Sequence, residues 1–183
     1  MKKFITIISV LVLGMGAANA QTLWVNGGYQ LDNFKSKILG FNASDASNGL
    51  FVGAEYEYGF GNFFSVAPGA NLGFTFAEKT FVCDMSIPVL ARAAYSINNQ
   101  VKPFVNLGPE FNIGLAHNES GESWYGGYGL SRFGFNLAIG GGVVVNEKVR
   151  LMINYSFGLS NIYKDSEASI KKDYLRVGIG YSF

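Results

Sequence analysis

Leu175-Arg176-Val177-Gly178-Ile179-Gly180-Tyr181-Ser182-Phe183 is the stretch that decides the fold. Successive side chains of a strand point to opposite faces. Leu175, Val177, Ile179, Tyr181 and Phe183 therefore form one bulky apolar face. Arg176, Gly178, Gly180 and Ser182 form the other, which is small and polar. The period is two throughout, so the stretch predicts a strand with one face in an apolar medium.

The same parity recurs toward the N-terminus. Leu50, Val52, Ala54, Tyr56 and Tyr58 oppose Phe51, Gly53, Glu55 and Glu57. Phe64 to Phe76, Phe81 to Tyr95, Pro103 to Leu115, Phe133 to Val145 and Val149 to Phe157 repeat the pattern. These runs match or exceed the roughly 9–11 residues that a tilted strand needs to cross a bilayer. They are longer than the usual soluble strand of about 5–6 residues. A weaker first strand from Leu23 to Leu31, interrupted on its apolar face by Gly27, brings the expected number to eight.

The N-terminus predicts export. Lys2 and Lys3 precede an apolar run from Phe4 to Leu13, and Ala18-Asn19-Ala20 fits an A-x-A cleavage site. Residues 1–20 read as a cleaved signal peptide, with cleavage before Gln21, and 21–183 as one domain. The apolar run is too short for a membrane helix, which needs about 20 residues. No later segment is apolar enough for one, although 49% of the residues are hydrophobic and 24 are glycine. An exported chain this apolar, without a helix to span a membrane, is a soluble β-protein with a generous core or a closed barrel with its apolar face in lipid, and the parity and length of the strands favour the barrel. The predicted fold is all-β: an eight-stranded antiparallel up-and-down transmembrane β-barrel.

Cost assigns the faces. Arg or Lys on the lipid side costs about 2–4 kcal/mol at the midplane. Glu55, Glu57, Asp84, Arg92, Glu110, Arg150 and Arg176 are accordingly expected to point inward as an ion-pair network, since buried charges need partners. Porins with an aqueous channel use about 16–18 strands, whereas eight leave an interior filled by side chains. No open solute channel is expected, although interior glycines leave room for small pockets. Short turns are expected at Gly59–Phe63, Ile97–Lys102 and Asn146–Lys148. Long polar loops are expected at Asp32–Asn48, Ala116–Leu130 and Ser160–Lys172. That asymmetry, with an even strand number, places the barrel in the cell outer membrane with both termini periplasmic.

Few function classes have support. Removing Lys2 and Lys3 from 14 Lys+Arg leaves 12 against 13 Asp+Glu, which argues against nucleic acid as a partner. Cys83 is the only cysteine and His117 the only histidine, too sparse a set for zinc. No cofactor is expected. A lipid-modifying enzyme centred on His117, with Glu119 and Ser120 nearby, would need a catalytic geometry that adjacent residues seldom make, and no G-x-S-x-G elbow exists. The bland reading is a solvated loop histidine, so no enzymatic activity is expected. Gly126-Gly127-Tyr128-Gly129 lacks the following helix of a phosphate-binding loop. Lys35, Lys37, Lys164, Lys171 and Lys172 could meet lipopolysaccharide phosphates or simply solvate their loops.

Four segments in order resemble the Bacteroidetes-type outer-membrane β-barrel domain, the PorT-like group of OmpX-like small porin-family barrels. They are Ile87-Pro88-Val89-Leu90-Ala91-Arg92, Pro103-Phe104-Val105-Asn106-Leu107-Gly108-Pro109-Glu110, Phe133-Gly134-Phe135 through Gly140-Gly141-Gly142, and Asn154 to Ile162. The resemblance spans about Leu50 to Phe183. It implies a small outer-membrane barrel and allows an accessory role in a secretion or envelope-biogenesis complex. In such a barrel the ending strand doubles as the signal read by barrel-insertion machinery, carried here by Leu175, Val177, Ile179, Tyr181 and Phe183. The reading is a monomeric envelope scaffold. Its partners are outer-membrane lipid and lipopolysaccharide, the insertion machinery, and an extracellular or envelope protein engaged by the outer loops in adhesion or binding.

Overall fold

A computed structural model describes residues 21–38, 41–77, 80–98, 100–119, 122–123, 131–163 and 168–183. The signal-cleavage residues Ala18 and Ala20 lie outside the described residues. Eight long strands carry the fold: β1 (Gln21–Ile38), β2 (Phe41–Phe60), β3 (Phe64–Ala77), β4 (Thr80–Ala94), β5 (Val101–Glu119), β7 (Phe133–Val145), β8 (Val149–Gly158) and β9 (Ala168–Ser182). A two-residue strand, β6 (Glu122–Ser123), pairs among the described residues with the C-terminal end of β5 alone.

Each long strand pairs antiparallel with its neighbours. β1 also pairs with β9, from Trp24↔Ser182 to Ile38↔Ala168, so the sheet closes on itself. Closure leaves no edge inside the membrane, where an unpaired backbone group would have no water to bond.

Burial is inverted relative to a soluble domain. The deepest side chains include Arg150, Gln30, Glu110, Thr75 and Asp32, while Leu50, Leu107, Leu151, Ile153 and Ile179 lie on the outer wall. Aromatic pairs ring that wall at both ends. Tyr56–Tyr58 and Tyr181–Phe183 lie near the termini; Phe76–Phe81 and Tyr155–Phe157 lie at the opposite end. These are the girdles of a barrel at its two membrane interfaces.

The end that holds the termini has short turns. Gly61 has φ 72°, and Asn146 and Glu147 have φ 51° and 59°, left-handed values that reverse the chain in few residues. Asn98 Oδ1 accepts from the backbone N–H groups of Gln100 and Val101, closing the β4–β5 turn.

The opposite end departs from the sequence expectation. Much of the expected loop Asp32–Asn48 is strand: β1 runs on to Ile38, and β2 starts at Phe41. β5 extends through Glu119, and β9 begins at Ala168, inside the expected Ser160–Lys172 loop. The physical reason is that a ladder needs only paired backbone groups. Once strands leave the lipid, their outer faces need not be apolar, and the alternation that marks them fades. Gly27, which interrupts only the apolar face of β1, keeps its backbone paired on both sides, with Val52 and Ile179.

Candidate functional site

The interior divides into two polar clusters. Nearer the turns, Arg92 bridges Glu55 at 2.7 Å and Glu57 at 2.6 Å. Arg150 reaches the same Glu55 oxygen at 2.6 Å, and its Nη2 donates to Asn26 Oδ1 at 2.9 Å. Glu57 also accepts from Ser65 Oγ at 2.6 Å and Trp24 Nε1 at 3.1 Å. The guanidinium groups lie over aromatic rings, Arg92 over Phe104 and Arg150 over Trp24. Such stacking suits the planar guanidinium.

Nearer the loops, Arg176 donates through Nε to Gln30 at 2.7 Å and through Nη1 to Glu110 at 3.0 Å. Ser156 Oγ donates to Glu110, and Gln30 Nε2 and Thr75 Oγ1 donate to Asp32. Lys172 then joins Asp32 at 2.7 Å to Asp84 at 2.6 Å. Phe51, Phe104 and Met152 form a buried apolar group within the same interior. Inward glycines make room for it: a Cβ on Gly178 would stand 2.7 Å from Phe51, and one on Gly142 2.8 Å from Phe104.

The seven charged residues expected inside, Glu55, Glu57, Asp84, Arg92, Glu110, Arg150 and Arg176, all take part in these contacts. Asp32 and Lys172 join them, although the sequence reading put both in loops. Lys172 is thereby withdrawn from the set of loop lysines facing solvent or lipid phosphate. Parity is the signal that would have found them. Asp32 continues the inward row Trp24, Asn26, Gln30, and Lys172 continues Arg176 and Tyr174.

Asp173 has the outward parity of Leu175 and Val177, yet it is only 3% exposed. It accepts from Tyr155 Oη at 2.6 Å, from the Gly158 backbone N–H at 2.8 Å, and from Lys35. This polar clasp ties β1, β9 and β8 together on the outer wall. From Tyr181 to Asp173 the outward row covers roughly 27 Å of strand, about 20 Å of height after tilting. The clasp thus stands at the loop-side border of the apolar band.

Beyond that border β2, β1 and β9 continue as a three-stranded ribbon. β2 pairs with β3 only from Asn48↔Phe76 downward. From Phe41 to Ser47 it pairs with β1 alone, and among the described residues nothing pairs with its far edge. Ala43, Ser44, Asp45 and Ala46 are exposed there.

His117 is not at the start of a loop. Its backbone lies in β5 opposite Val82, beyond a bulge in which Cys83 pairs with Ala116 and Asp84 with Gly114. Its side chain, with those of Asn118 and Glu119, lies outside the described residues, as do Ser120 and the Gly126–Gly129 segment. Among the described residues no group of three or more His, Cys, Asp or Glu is placed to hold a metal ion. Gln21 opens β1 and accepts from Tyr56 Oη at 2.6 Å. Leu175, Val177, Ile179 and Tyr181 occupy the outer face of β9, and Phe183 is 87% exposed at its end.

Closed topology, an apolar outer wall between aromatic girdles and a charged, filled interior define a small outer-membrane β-barrel. The chain belongs to the outer membrane protein beta-barrel domain family, whose profile matches residues 5–183. Among solved structures it is similar to Neisserial surface protein A (NspA), at 17% identity and TM-score 0.55, covering 90% of this chain and 100% of that one. It is also similar to the outer membrane enzyme PagL, at 9% identity and TM-score 0.55, covering 84% and 98% respectively. At these identities the likeness concerns the fold alone. No curated protein matches the chain significantly.

Proposed function

We propose that the barrel is a monomeric, non-enzymatic scaffold of the outer membrane whose function lies in binding an extracellular or envelope protein at its loop end. One observation carries this reading: the ribbon edge of β2 from Phe41 to Ser47, which among the described residues has no partner strand. Such an edge presents backbone N–H and C=O groups in register, and an extended segment of another protein can add to it as a further strand. Small side chains at Ala43, Ser44 and Ala46 leave that approach open. The paired interior charges support a scaffold without an open solute channel. The even number of barrel strands and the short turns beside the termini support periplasmic ends.

Lys35 and Lys171 face each other across β1 and β9, just above the apolar band. Under this proposal Lys171, with Lys35 beside it bonded to Asp173, meets phosphates of lipopolysaccharide. In this reading the outward row of β9 with Phe183 is the strand presented to the insertion machinery. Deleting Phe183 should lower the yield of heat-modifiable barrel several-fold in a quantitative membrane fractionation; an unchanged yield refutes that role.

The main test shortens the ribbon by replacing residues 36–46 with a tight turn. Cell adhesion and crosslinked partners are then compared between full and shortened barrels. Loss of both, with heat-modifiable migration intact, is the expected result. Equal adhesion and equal crosslinking would sink the proposal. Recovery of secretion or biogenesis components through the full ribbon alone would name the partner and extend the PorT-like resemblance to function.

A further inference from the structure

The two ends of the interior differ in open space. At the loop end the space beside Asp84, Asn112 and Lys172 is about 30 Å³. At the turn end a cavity of about 500 Å³ opens between the strand ends, within the 300–1,000 Å³ range of small-ligand sites. Among the described residues the interior thus forms a cup open toward the turns.

We propose that this cup binds a small organic anion bearing a carboxylate or phosphate group, held by Lys102 and Lys148. Both lysines line the cavity. Lys102 shares the inward parity of Phe104 on β5, and Lys148 lies in the β7–β8 turn. Among the described residues neither has an ion-pair partner. The charges deeper in the cup are already committed: Arg92 bonds Glu55 and Glu57, and Glu57 takes further donors from Ser65 and Trp24. That pairing leaves Lys102 and Lys148 as the cations of the cavity wall that no ion pair commits.

Two acids also lie at this mouth. Glu147 and the terminal carboxylate of Phe183 line it, but both residues are exposed. Water and salt screen these acids and the equally exposed Lys148 alike, while half-buried Lys102 lies within the walled cleft, which focuses its field onto whatever enters. Gln21, Asn62 and Ser96 supply hydrogen-bonding groups around the same space. The site lies at the opposite end from the β2 ribbon, so it stands or falls independently of partner binding there.

The test is a titration of the ¹⁵N-labelled full barrel in detergent micelles with inorganic phosphate and, separately, with citrate. Sodium chloride at matched ionic strength is the control. Saturable amide shifts at Lys102, Lys148 and Ser96 are expected with at least one anion, and the anion that saturates names the ligand group. K102Q/K148Q should weaken binding by about tenfold or more. K148Q alone, at an exposed turn, provides the reading if the double variant does not fold. Shifts that match the chloride control, or an affinity unchanged in the lysine variants, overturn the proposal.

Discussion

The turn half and the loop half of the interior solve the same problem in different ways. In the turn half two acids and two arginines share contacts: Glu55 is bonded by both Arg92 and Arg150, and Glu57 holds three donors. In the loop half three acids, Asp32, Asp84 and Glu110, face two bases, Lys172 and Arg176. Among the described residues Lys172 is the one cation bonded to Asp84. Desolvated charges are tolerated only when compensated. The turn half is therefore redundant, whereas Asp32 and Asp84 in the loop half depend on a single ammonium group.

That difference can be broken by substitution. Lys172→Met should have the largest effect, about 4 kcal/mol, because it strands Asp84 and deprives Asp32 of its cation in one step. Denaturant unfolding in micelles measures it. Arg92→Leu should cost less, about 3 kcal/mol, since Glu55 keeps Arg150 and Glu57 keeps Ser65 and Trp24. If Arg92→Leu proves the more damaging of the two, the redundancy is wrong. Tyr155→Phe removes one donor from Asp173 on the outer wall and should cost only about 1 kcal/mol in the same assay. A loss as large as that of Lys172→Met would mean that the clasp, rather than the interior, governs the loop end. The smallest expected effect is a coupling. The two clusters share no charged partner, so Arg92→Leu and Lys172→Met should add within about 0.5 kcal/mol in a double-mutant cycle. Larger coupling would show the two clusters to be one network.

The same division marks how far the residues could be read in advance. Glu55, Glu57, Arg92 and Arg150 lie on strands whose other face is bulky and apolar, so lipid exposure itself betrays them. Asp84, Glu110 and Arg176 share that advantage. Asp32 and Lys172 lie near the border where the outer face turns polar, and hydropathy stops distinguishing strand from loop. Parity persists across the border although apolarity does not. His117 was misplaced for the same reason, with the bulge near Cys83 adding a shift that no pattern in the residues announces. The ribbon edge was illegible because it depends on where β3 ends relative to β2, a relation between strands rather than within one.

Alternation over 9 or more residues, repeated with few charges on one face, was by itself enough to determine an eight-stranded barrel, its outward wall and the inward placement of seven charges. The reason is that lipid imposes a large, uniform cost on every misplaced charge, and that cost is written into each strand locally. Only the tertiary structure decided which acid meets which base, how far the strands outrun the membrane, and that the interior opens as a cup at the turn end. Those features depend on register and closure, where distances between residues far apart in the chain are set by neighbouring strands and not by any one segment's pattern.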